Sequence, residues 1–182
     1  ENLPRDIPYL RLRPEWMDKW RSRLREVAAS RLKVGLVWAG FKNHKSDARR
    51  SIPLSRFEPL LKERGVAWIS LQKGGKTNPQ AGAAAAAGLI GWMDEVEDFA
   101  DTAGLVAALD LVISIDTSVV HLAGALGKPV WMLNRFESEW RWMRGREDSP
   151  WYPTLRIFNQ KNAGGWDEVL TRVLSALPAR PE

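Results

Sequence analysis

The sequence has no cysteine and only two histidines, His44 and His121. That excludes disulfides and thiolate metal sites, and it leaves too few imidazoles for a histidine-rich metal site. No stretch approaches the ~18 apolar residues of a membrane-spanning helix. The alanine-rich segment AGAAAAAGLI at 81–90 is too short. The N-terminus ENLPRDIPYL is polar and proline-bearing, unlike a signal peptide, so residence in the cytoplasm is expected. The missing initiator Met suits a piece excised from something longer. There is no G-x-G-x-x-G turn and no P-loop, which disfavours a dinucleotide fingerprint. The absence of a D-x-D pair gives no sign of a metal-bridged phosphate site, and no internal repeat of ~20–50 residues is evident.

What is present is ordinary globular material: 182 residues, 45% apolar and 27% charged, with a net charge of +5. The length suits one domain with a substantial core. The cations are dispersed rather than gathered into a run, which argues against a nucleic-acid face. One group in the first thirty residues alternates with Asp6, Glu15, Asp18 and Glu26. A second, Lys42, Lys45, Arg49 and Arg50, surrounds a single acid, Asp47.

Strands and helices alternate along the chain. A helix is predicted over 14–30, with Pro14 at its start and Trp16, Trp20, Leu24 and Val27 on one face. VGLVWA at 34–39 reads as a doubly covered strand. A short helix over 55–64, capped by Ser55 and stopped by Gly65, precedes the strand VAWISLQ. A helix over 80–87 and a short strand within 88–92 follow. Next come a helix over 101–109 capped by Asp101 or Thr102, the strand LVISI, a helix over 119–126 stopped by Gly127, and the strand PVWML. The strand LRIF and a helix over 166–177 close the chain. The expectation is an α/β fold, a Rossmann-like parallel sheet with helices on both faces. Residues 1–30 would form an extended segment and linker helix, and residues 31–182 the domain.

Ligands of open α/β sheets bind beyond the carboxyl ends of the strands, which selects the loops 40–53, 73–80, 116–121 and 134–153. The third is the most specific. If a helix begins at Thr117 or Ser118, its first amides lack partners and carry the positive end of the helix dipole. Those amides and the two hydroxyls would hold a phosphate without a metal. His121 shares their face and, as an imidazolium, could neutralise charge developing on a departing diphosphate. Asp116 would cap the helix or accept from sugar hydroxyls. In the first loop, GFKNHKSDARRS, Lys42, Lys45, Arg49 and Arg50 could surround a diphosphate, and Lys45, Arg50 and Ser51 are the candidate nucleotide-sugar contacts. In the fourth, Trp140, Trp142, Trp151 and Tyr152 are expected chiefly to pin the loop down. Their faces could also stack on a base or sugar, and Arg141 could reach phosphate.

DLVISIDTSVVHLAGALGKPVW resembles the signature of glycosyltransferase family 9, the heptosyltransferases of lipopolysaccharide assembly. VGLVWAG, NHKSDARRSIPL, DFADTAGL and SPWYP resemble relatives at the carboxyl end of bacterial tetratricopeptide-repeat proteins. The likeness runs from about Asp6 onward; its most specific element matches at Asp116, Thr117, His121, Ala123 and Ala125. It implies the C-terminal, donor-binding half of a GT-B glycosyltransferase. An N-terminal half and tetratricopeptide repeats would then lie elsewhere in the full-length protein. It further implies that Asp116, Thr117, Ser118 and His121 meet the phosphates and sugar of a nucleotide-diphosphate-sugar donor. The loop around Lys45 and Arg50 would meet the diphosphate, and Phe99 would lie by the base. No metal or other cofactor is expected. Family members usually carry glycine where Ser118 stands and have a shorter, less basic first loop, so the donor is not carried over. A nucleotide-sugar epimerase of the same architecture and a non-catalytic sugar-nucleotide-binding domain are the alternative readings.

Overall fold

A computed structural model describes residues 6–73 and 79–178. Six strands, β1 (Leu32–Val37), β2 (Val66–Ser70), β3 (Ile90–Gly91), β4 (Leu111–Ile115), β5 (Val130–Asn134) and β6 (Leu155–Asn159), form one sheet. Their order is β3-β2-β1-β4-β5-β6 and every pairing is parallel. This is the doubly wound order, with a topological switch point between β1 and β4. β2 and β4 are buried at every position, as continuous apolar strands covered on both faces must be.

The helices are α1 (Pro14–Ala28), α2 (Asp47–Arg50), α3 (Glu58–Leu61), α4 (Pro79–Ala86), α5 (Phe99–Ala108), α6 (Ser118–Ala125) and α7 (Trp166–Ala176). One apolar layer joins α1, α5, α6 and the aromatic loop to one face of the sheet. The other joins the α3 region, α4 and α7 to the opposite face. Of the stripe expected on α1, Trp20 and Leu24 are buried with Ala28, whereas Trp16 and Val27 lie at the margin, 38% and 36% exposed. Contact between α1 and α5 is close because Gly104 has no side chain: a Cβ there would stand 2.4 Å from the Trp16 carbonyl oxygen.

Two expected caps move. Asp98, not Asp101 or Thr102, caps α5, accepting from the amides of Ala100 and Asp101 at 2.8 and 2.9 Å. Asp101 instead accepts from the Glu97 amide at 3.2 Å, and the Thr102 hydroxyl donates to the Asp98 carbonyl. The helix expected over 55–64 is a 3-10 turn (Leu54–Phe57) running into α3, entered from Pro53, so Ser55 lies inside it and is no cap. Gly127 does end α6, at φ 69° in the left-handed region. No described helix is long and apolar enough to cross a membrane.

Candidate functional site

The carboxyl ends of all the strands face one edge, and the loops after β1, β4 and β5 meet there. α6 starts two residues after β4. Its N-cap position is Thr117, not Asp116, and no side chain caps it. The Thr117 hydroxyl turns back to the Ser114 hydroxyl at 3.1 Å, since Ser114 spends its own proton on the Ile115 carbonyl at 2.7 Å. The Val120 amide donates to the Thr117 carbonyl at 3.1 Å. The amides of Ser118 and Val119 are therefore left as the helix's open donors among the described residues, with Ser118 exposed.

Arg50 crosses the switch point and donates from Nη1 to the Asp116 carbonyl at 2.9 Å. It is held by its own loop. The Ser51 hydroxyl accepts from the Gly40 amide at 3.0 Å and donates to Asp47 at 2.9 Å, while Asp47 also accepts from Arg50 Nε at 3.4 Å. A Cβ on Gly40 would lie 2.4 Å from Asp47 Oδ1 and 2.5 Å from Arg50 Nη2, so glycine is what lets this network close. Arg50 thus brings a fixed, largely buried positive charge beside the first turn of α6. Lys45 is exposed and has no hydrogen bond or ion pair among the described residues.

His121, one turn into α6, faces the aromatic loop. Trp142 stacks on it with centroids 5.1 Å apart, and Tyr152 meets it edge-on at 5.8 Å. Its Nδ1 lies 2.9 Å from the Tyr152 hydroxyl, which in turn lies 3.5 Å from the Tyr9 hydroxyl. Burial, then the bond to Tyr9, pushes the Tyr152 pKa well above the ordinary tyrosine value, so Tyr152 keeps its proton. In the tautomer that carries its ring proton on Nε2, His121 accepts the Tyr152 proton at Nδ1. Burial also lowers the His121 pKa, against the upward pull of Asp116. Burial thus disfavours the imidazolium form of His121.

Asp6, Tyr9, His121, Trp140, Trp151 and Tyr152, with Arg141, line a cleft of about 630 Å³. The four aromatics of the loop divide: Trp142 and Tyr152 pack, 1% and 7% exposed, whereas Trp140 is 68% exposed. Arg141 lies over Trp140 at 4.6 Å and pairs with Glu139 at 2.6 Å. Ser51 and Arg49 line a second cleft of about 340 Å³, where Arg49 pairs with Glu137. Phe99, first residue of α5 on the β3 side, is 61% exposed and lines neither cleft. Sequence reasoning missed Tyr9 and Asp6, which no local pattern ties to α6. Residues 74–78 of the second candidate loop lie outside the described residues. No group of three or more acidic or histidine side chains suited to a metal occurs among the described residues.

No protein-family model matches the chain. Its fold matches about half the length of each of two solved glycosyltransferases. One is the glycosyl transferase family 9 protein of Veillonella parvula DSM 2008 (TM-score 0.60, 13% identity, 83% of this chain and 42% of that one). Another is the ADP-heptose LPS heptosyltransferase II of E. coli (TM-score 0.62, 17% identity, 95% and 56%). At these identities the likeness is one of fold. In sequence the chain is similar to Protein FlbA of Caulobacter vibrioides, 35% identical over 182 residues, 97% of this chain and 30% of FlbA. The chain therefore spans under a third of that relative and about half of each of the two solved structures.

Proposed function

We propose that this chain is the donor-binding half of a metal-independent GT-B glycosyltransferase of the family 9, heptosyltransferase-like group. It would hold a nucleotide-diphosphate sugar with the diphosphate on the first turn of α6. The observation that carries this reading is the uncapped start of α6 at the switch point, with the Arg50 guanidinium fixed beside it. Open amides, the helix dipole and a preset cation form an anion site that needs no reorganisation when charge develops on the leaving diphosphate. Ser118 adds an exposed hydroxyl and Lys45 an exposed cation. Ser51 holds the Arg50 loop together. Asp116 presents its carbonyl to Arg50, and its carboxylate would accept from sugar hydroxyls. Phe99 would stand toward the base.

His121 serves as an Nε2–H donor to an oxygen of the diphosphate or sugar. A bound dianion one turn away raises its pKa, so charge neutralisation follows binding rather than preceding it. The acceptor and the catalytic base belong to an N-terminal half outside this chain, in a bacterial, cytoplasmic protein that also carries tetratricopeptide repeats. The fold shared with two glycosyltransferases supports the assignment. Isothermal titration with UDP, ADP, GDP and their sugars tests it. Binding that weakens in Lys45→Ala and Ser118→Ala is expected, and no binding at millimolar nucleotide overturns the reading.

A further inference from the structure

We infer that the cleft between Tyr9, His121 and the Trp140–Trp151 corner is a pyranose subsite, in which the sugar ring stacks on Trp140. This rests on the donor-binding reading and extends it to residues of the aromatic loop and the N-terminal segment. The volume of about 630 Å³ falls within the range of small-molecule sites. The two indoles stand at 89° with centroids 6.5 Å apart, which makes a corner rather than a slot. A flat base is gripped best between parallel faces. A puckered ring can instead rest its apolar C–H face on one indole and abut the edge of the other.

The corner is built, not incidental. Glu139 caps the turn carrying Trp140 by accepting from the Arg141 amide at 3.0 Å, and Trp151 Nε1 donates to the Arg141 carbonyl at 2.9 Å. Arg141 covers one face of Trp140, yet the side chain remains 68% exposed. Trp140 is left open at the cleft while Trp142 beside it is buried. The polar side chains of Asp6, Tyr9 and His121 line the same cleft. Three such groups suit the several hydroxyls of a sugar ring. Position agrees as well. His121 lies three residues beyond Ser118, about 4.5 Å along the helix axis, the separation of a sugar from the phosphate that carries it.

The test uses the full chain and two probes. Saturation-transfer NMR with a panel of methyl pyranosides, read at the ring C–H protons, examines the cleft without any nucleotide. Transfer to one face of at least one glycoside, lost in Trp140→Ala, is expected; transfer unchanged in that variant overturns the proposal. Titration then compares each nucleoside diphosphate with its sugar. The sugar should tighten binding about ten-fold, and Trp140→Ala should erase that gain while leaving the diphosphate's own affinity within two-fold. Glycoside transfer without any nucleotide binding would end the donor reading and leave the subsite standing. Absence of both sugar signals, or Trp140-dependent transfer to base protons instead, overturns the subsite.

Discussion

Replacing Gly124 by alanine should destabilise this protein, although the same change inside most helices does the opposite. Alanine is preferred to glycine in a helix interior by about 1 kcal/mol. Here a Cβ would stand 2.4, 2.5 and 2.9 Å from carbons of the Tyr152 ring, about 1 Å inside ordinary carbon contact. Tyr152 is 7% exposed, and a shift of its ring away from Gly124 breaks its packing against His121. Overpacking of this kind costs about 1–3 kcal/mol. A ring displaced by that amount also carries its hydroxyl beyond reach of His121 Nδ1, now at 2.9 Å, forfeiting about 1 kcal/mol more. Set against the gain in propensity, the net loss is about 1–3 kcal/mol, a fall in Tm of about 2–12 °C for a chain of this length. Urea unfolding with parallel ¹⁵N spectra of the His121 ring reads both effects. Stability equal to or above the parent, with the ring proton still on Nε2, would refute the packing and the hydrogen-bond reasoning together.

Gly104→Ala sets a Cβ against a backbone oxygen that no rotamer can move, so a loss of about 2 kcal/mol or more in urea unfolding is expected. Arg50→Ala should lower both stability, by about 2 kcal/mol through its lost bonds, and nucleotide affinity. Lys45→Ala should lower affinity alone, and a comparison of melting with titration separates the two. Because burial holds the His121 pKa below its ordinary value, the unfolded chain binds the proton more readily. The His121 contribution to stability is thus complete above about pH 6.5 and is lost as pH falls through the lower folded value. Unfolding free energies measured across that window should lose this slope in His121→Gln.

The strands and the α6 junction were legible because each is a local pattern: a continuous apolar run, a polar break, then a helical period ended by glycine. The α5 cap was not, because DFADT offers Asp98, Asp101 and Thr102 within about one turn and no local pattern separates them. Nor did the sequence say which aromatics of the fourth loop pack and which stand free. One sign was there: Gly124, the single glycine inside α6 (SVVHLAGA), marks a close approach, and the approaching group is Tyr152. The pairing of Tyr9 with Tyr152 spans 143 positions. No periodicity encodes a contact of that separation. The downward pull of burial on the His121 pKa escaped for the same reason, since neighbours distant in sequence do the burying.

A sheet whose six strands all run one way has two unlike rims. Candidate ligand contacts gather at one, while turns such as Arg64–Gly65 and Leu109–Asp110, leading into β2 and β4, occupy the other. A fluorophore, an affinity handle or a surface tether placed at the exposed Arg64 would report on or immobilise the protein from behind, without obstructing the working side.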